Sequence, residues 1–213
     1  MKLGEIKIQA LKLMFVGGQE LIDGDALADY LGDDTYGHFL VNMPGAINRA
    51  LSLLERRRVL PVRSLELEKE KASFFGKSAR FDLADLIKDF YDVDRLVYER
   101  GDEYVGAQDY RREGDVIVIA DFDETAQYRL LYWPRIPRVS ISTSDEQELE
   151  GIPDHIACYL PYAIKAELFR EDEPDEATVA HQLFENAIAQ LAREVRGEHI
   201  SSVQLIYGGG LMT

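Results

Sequence analysis

Cysteine is all but absent from this chain. Cys158 stands alone among 213 residues, so no internal disulfide can brace the fold, and a reducing place of synthesis is expected. Positive charge is scarce as well: 24 Lys and Arg against 39 Asp and Glu leave a net charge of −15. A chain this acidic repels polyanions, which argues against general duplex binding or docking on an anionic membrane. Long apolar runs are missing too. Lys2, Glu5, Lys7 and Lys12 interrupt the first apolar stretch, which is therefore neither a secretory h-region nor a membrane span. The uncharged stretch 200–213 is rich in Ser and Gly and too polar to cross a bilayer, so a soluble protein is expected.

Sequence signatures of catalysis are equally sparse. The chain holds no GxxxxGK[ST], GxSxG, HExxH or CxxC pattern. His38, His155, His181 and His199 never fall at the short spacing of a metal-binding pair, so each reads as a surface or half-buried side chain. Cys158 lies among Ile156, Ala157, Tyr159 and Leu160 and reads as a small buried hydrophobe. No metal or cofactor is expected.

What is present is an ordinary globular composition, 46% hydrophobic and 30% charged, arranged in three blocks. Residues 1–61 have helical period. Leu3, Ile6, Ala10, Leu13 and Met14 share one side of a first helix that Gly17-Gly18 ends. A short turn follows through Ala26, Leu27 and Tyr30. Phe39 to Leu54 form a second helical stretch, which Pro44 either divides or bends. Arg56, Arg57 and Arg58 complement its negative end.

Residues 62–141 change to strand period. Leu65-Glu-Leu-Glu alternates; Asp94 to Arg100 alternates; Val116 to Ala120 is a brief β-branched run expected at the centre of a sheet; Tyr128 to Trp133 is closed by Pro134. An antiparallel sandwich or small barrel follows. Helical period returns over 142–197 after an acidic linker. One helix starts at Pro153 with a kink at Pro161, and another runs from Pro174 until Gly197 stops it, burying Val179, Leu183, Phe184, Ala187, Ile188, Leu191 and Val195. The fold class expected is α+β: terminal helices forming one bundle with an inserted antiparallel β module, and an extended tail over 198–213.

Three places invite a functional reading. Asp121, Asp123 and Glu124 follow the Val116–Ala120 strand, where paired carboxylates can hold Mg²⁺ or divide acid and base roles; turn formation by Asp is the plainer account. The arginines at 56–58, 63 and 111–112 could contact phosphate, and Gly208-Gly-Gly resembles a phosphate loop only in composition. Ser202, Val203, Gln204, Leu205, Ile206 and Tyr207 have strand propensity after the last helix, and this segment is expected to bind a neighbouring subunit or to fray.

The order of these pieces resembles the head-to-tail adaptor (connector) proteins of tailed bacteriophages. The resemblance rests on Tyr128-Arg-Leu-Leu-Tyr-Trp-Pro134, Ile152-Pro-Asp-His-Ile156, Ala163-Ile-Lys-Ala-Glu-Leu-Phe169, Glu171-Asp-Glu-Pro-Asp-Glu-Ala177 and Phe184-Glu-Asn-Ala-Ile188. Leu40-Val-Asn-Met-Pro-Gly-Ala-Ile-Asn-Arg-Ala50 is similar to the helical front half of such proteins, whereas 62–112 matches nothing in them. The resemblance implies a non-enzymatic virion component, made in the host bacterial cytoplasm and located in the neck between capsid and tail. It would assemble with itself into a ring, expected to be a dodecamer, and bind the portal protein and a tail or nozzle protein. DNA would pass through its channel without specific binding. A tail-completion or capsid-decorating protein, and a metal-dependent enzyme using Asp121 and Asp123, are the alternatives.

Overall fold

The computed structural model describes residues 1–15, 27, 29–32, 36–101 and 103–207, with 29, 30 and 196–207 described through their backbone. The chain divides into two compact units. One comprises Met1–Leu60 with Ile136–His199; the other comprises Pro61–Arg135 together with the chain from Ile200 onward. The fold is α+β, as the change of period along the sequence predicts.

The helical unit begins with α1 (Leu3–Met14), whose Leu3, Ile6, Ala10, Leu11 and Met14 are buried. Its first-turn donors need acceptors that the helix cannot supply. The acidic linker supplies them: Leu3 and Gly4 donate to the carbonyls of Gln147 and Asp145 at 2.9 and 2.8 Å. Lys7 reaches the Asp145 carboxylate at 2.7 Å. A Cβ on Gly4 would lie 3.1 Å from Asp145, so the close approach of this linker favours glycine. The Gly17-Gly18 stop lies outside the described residues.

Helix α2 (Gly37–Arg57) runs on through Pro44, which is buried. The helix ends at Arg58, the one non-glycine residue of positive φ among the described residues, at 55°. There the Arg58 amide donates to the Glu55 carbonyl at 3.0 Å, closing the last turn. Leu40, Met43, Ile47, Leu51 and Leu54 form its buried stripe.

Where one kinked helix is expected at Pro153, the chain forms two. Helix α4 (Asp154–Ala157) breaks at Cys158-Tyr159, and α5 (Leu160–Leu168) starts with Pro161 in its first turn. A proline has no N–H to offer the carbonyl four residues back, so a new helix start suits it better than a helix interior. Helix α6 (Pro174–Tyr207) does not stop at Gly197. One glycine costs a helix only about 1 kcal/mol, and no proline or strand partner follows to end it. Ser202 to Tyr207 are thus helical, not a strand; residues 208–213, including the three glycines, lie outside the described residues.

α5 packs against α1 and α2, and α6 adds Ala177, Phe184, Ile188 and Leu191 to the same core. Two residues depart from the expected stripe of α6: Val179 is 57% exposed and Leu183 50%. The side that is covered runs through Ala177, Ala180, Phe184, Ile188 and Leu191.

The second unit is a sandwich of two four-stranded antiparallel sheets. Its elements in chain order are β1 (Arg63–Leu67), β2 (Ser73–Phe75), β3 (Ser78–Asp82), α3 (Leu83–Leu86), β4 (Phe90–Arg100), β5 (Glu103–Gly106), β6 (Tyr110–Glu113), β7 (Val116–Ile119) and β8 (Tyr128–Pro134). One sheet has the order β1-β8-β4-β5, the other β2-β3-β7-β6. The inner faces share one core, with Leu67, Leu96, Tyr128 and Leu130 from the first and Ala79, Phe81, Ile117 and Ile119 from the second. β7 and β8 are interior strands, and their apolar sequences match side chains that are buried or half-buried throughout.

Candidate functional site

Asp121, Asp123 and Glu124 leave β7 in a surface turn, and each is exposed. Asp123 is committed locally. Its carboxylate accepts from the Thr125 amide at 2.9 Å and the Thr125 hydroxyl at 2.7 Å. The hydroxyl bond, then the amide bond, hold Asp123 below the usual carboxylate pKa. Its own amide donates to the Tyr128 hydroxyl at 3.2 Å. Glu124 is paired with Lys69. The residues therefore build a turn that a Thr side chain completes. No group of His, Cys, Asp and Glu suited to a metal ion occurs among the described residues.

Cys158 is exposed, not buried as expected, because it caps α4 where the chain breaks before α5. Its thiol lies 3.4 Å from the His155 carbonyl. Partial burial raises its pKa, the opposite of nucleophilic activation. His38, His155 and His181 are exposed and scattered.

The arginines noticed in the sequence divide sharply. In the β unit Arg112 donates to the Gly114 carbonyl at 2.7 Å, pairs with Asp92 and lies over the Phe90 ring. Arg111 meets Glu113 at 2.7 Å, and Arg63 pairs with Asp89. These charges are neutralised at home. On the helical unit Arg57 meets Glu185 at 3.1 Å, whereas Arg56 has no ion pair or hydrogen bond among the described residues.

The feature best shaped for contact is an open groove of about 420 Å³ on the helical unit, between the end of α1, α5 and the first turns of α6. Leu13, Tyr162, Val179, Ala180 and Leu183 give it an apolar lining, and Lys165, Asp175 and Glu176 give it a charged rim. Lys165 holds the rim in place. It donates to the Leu13 carbonyl at 2.7 Å, satisfying the C-terminal end of α1, and to Glu176 at 2.6 Å at the start of α6. Val179 and Leu183, one helical turn apart, leave large apolar surface in water, as interface residues do in an isolated subunit.

Among the described residues, no sequence candidate is brought together with another into a cleft. The groove was not legible because it combines the end of α1 with α5 and α6, which lie far along the chain from it. Its nearest signal was the apolar spacing of Val179 and Leu183. Comparison with models of protein families gives no match for this chain, and no curated protein matches it.

Proposed function

We propose that this chain is a structural subunit of a tailed-bacteriophage virion, a head-to-tail adaptor that forms a ring between portal and tail and continues the DNA channel. The observation that carries this reading is the exposed apolar groove around Val179 and Leu183. It lies on the helices whose sequence resembles that family, and it is the kind of face a ring subunit covers with its neighbour. On this reading the protein works by contact, not turnover. The excess of 39 acidic over 24 basic side chains keeps DNA from adhering as it passes.

The test is assembly. Negative-stain images of the protein mixed with purified portal are expected to show a decorated ring. A strictly monomeric protein that binds neither portal nor virions overturns the proposal. Labelled protein seen on the capsid surface or at the distal tail would instead make it another virion component.

A further inference from the structure

A second groove lies on the helical unit, between α2, α5 and α6, and its chemistry is the reverse of the first. It is open, about 490 Å³, and each helix presents one face to it at regular three- and four-residue spacing. Its floor is cut by alanines: Ala46 and Ala50 from α2, Ala163 and Ala166 from α5, Ala177 from α6. Its walls carry Arg49, Arg56, Arg170 and His181, against a single carboxylate, Glu167. In a chain of net charge −15, three guanidiniums converge on one furrow.

Those guanidiniums are not used up internally. Glu167 is shared, 2.9 Å from Arg49 and 3.9 Å from Arg170. Arg49 is 60% and Arg170 75% exposed, so these pairs are the weak, solvent-screened kind that a better ligand displaces. Arg56 is exposed and without a partner among the described residues.

From this we infer that the groove is a docking site for an acidic helical segment of a partner protein, independently of the adaptor reading. Arg49 and Arg56 lie seven residues apart on one helix face, about 10.5 Å along its axis. That repeat matches carboxylates two turns apart on a second helix laid along α2, and is longer than one phosphate group spans. The alanine floor lets such a helix approach closely, its small or apolar side chains entering between the arginines. Bidentate carboxylate contacts to Arg49, Arg56 and Arg170 then fix its register.

The probe is a fluorescent alanine-rich helical peptide with glutamates two turns apart, followed by anisotropy against the full chain. Binding that weakens with salt is expected, with none to the same peptide carrying glutamine. Arg56→Ala with Arg170→Ala should weaken binding about tenfold or more. Glu167→Gln, which removes the competing carboxylate, should tighten it about threefold. Arg56 and Glu167 project from helix surfaces and Arg170 from the turn after α5, and circular dichroism checks that each variant is folded. Absence of peptide binding, equal binding to the double variant, or binding of inorganic phosphate at lower concentration than the peptide would overturn the inference. So would self-association through these arginines that the peptide does not displace.

Discussion

The carboxylate of Glu55, on α2, accepts from the guanidinium of Arg138 at 2.6 Å and from the backbone amide of Ile136 at 2.7 Å. Glu55 is 4% exposed, while the Arg138 side chain is 40% exposed. The arginine can return to water if the pair is broken; the Ile136 amide cannot. Glu55→Ala is therefore expected to cost about 2–4 kcal/mol, most of it for the orphaned amide. Glu55→Gln keeps an acceptor for that amide and should cost about 1–2 kcal/mol. Urea denaturation of both variants separates the two contributions, and equal losses would refute this division.

Asn48 repeats the device one step further along the returning chain. Its amide nitrogen donates to the Val139 carbonyl at 2.8 Å, and its oxygen accepts from the Val139 amide at 2.9 Å. One side chain thus pairs with a segment that has no strand neighbour, which answers the need of buried backbone for partners. Asn48→Ala leaves both groups unmatched and is expected to cost about 2–3 kcal/mol. Asn48→Asp, which can accept but not donate, should fall between that variant and the natural chain, with less loss at low pH. A thermal melt series across pH checks both the order and the trend.

In the β unit, Asp89 accepts from the Tyr132 hydroxyl at 3.2 Å and pairs with Arg63. Burial first, and then the Asp89 charge, raise the Tyr132 phenol above its ordinary pKa. A group whose pKa is higher folded than unfolded contributes stability below the unfolded value, near about 10, and loses it as pH climbs through the folded value. Stability should therefore decline above about pH 10. Tyr132→Phe should reduce that decline, at the cost of the hydroxyl bond at neutral pH. Ultraviolet titration of the variant should lack a phenol that titrates above the ordinary range; an unchanged titration curve would dismiss the assignment.

How far the fold could be read from sequence depends on where each element's partners lie. β7 and β8 were legible because their own side chains are buried or half-buried throughout, so an apolar run advertises them. β2, Ser73–Phe75, and β6, Tyr110–Glu113, are short edge strands with mostly exposed side chains. Their strand state comes from pairing with β3 and β7, not from any alternation of their own. The period of α6 was legible, but its width was not. Val179 and Leu183 fall beside the covered stripe, and only the position of the neighbouring helices decides which flank meets water. Both grooves escaped for a related reason. Arg49, Arg56 and Arg170 are ordinary surface cations until α2 and α5 are placed side by side, and Arg56 among its neighbours looked like complement to a helix end.

The exposed pair on α6 gives the sharpest separation of assembly from folding. Val179 and Leu183 are half or more exposed, so aspartate at either position places a charge in water and should change subunit stability by no more than about 0.5 kcal/mol. On a covered interface the same substitutions bury an unpaired carboxylate, which costs several kcal/mol for each contact made. Val179→Asp with Leu183→Asp is therefore expected to abolish ring formation while leaving the thermal midpoint of the isolated chain nearly unmoved. Gln182→Asp, exposed on the same helix and lining neither groove, serves as the control and should assemble normally. Analytical ultracentrifugation of all three proteins with and without portal reads the outcome. Rings that form equally well with the double aspartate variant would place the subunit contact elsewhere and remove the observation on which the adaptor reading stands.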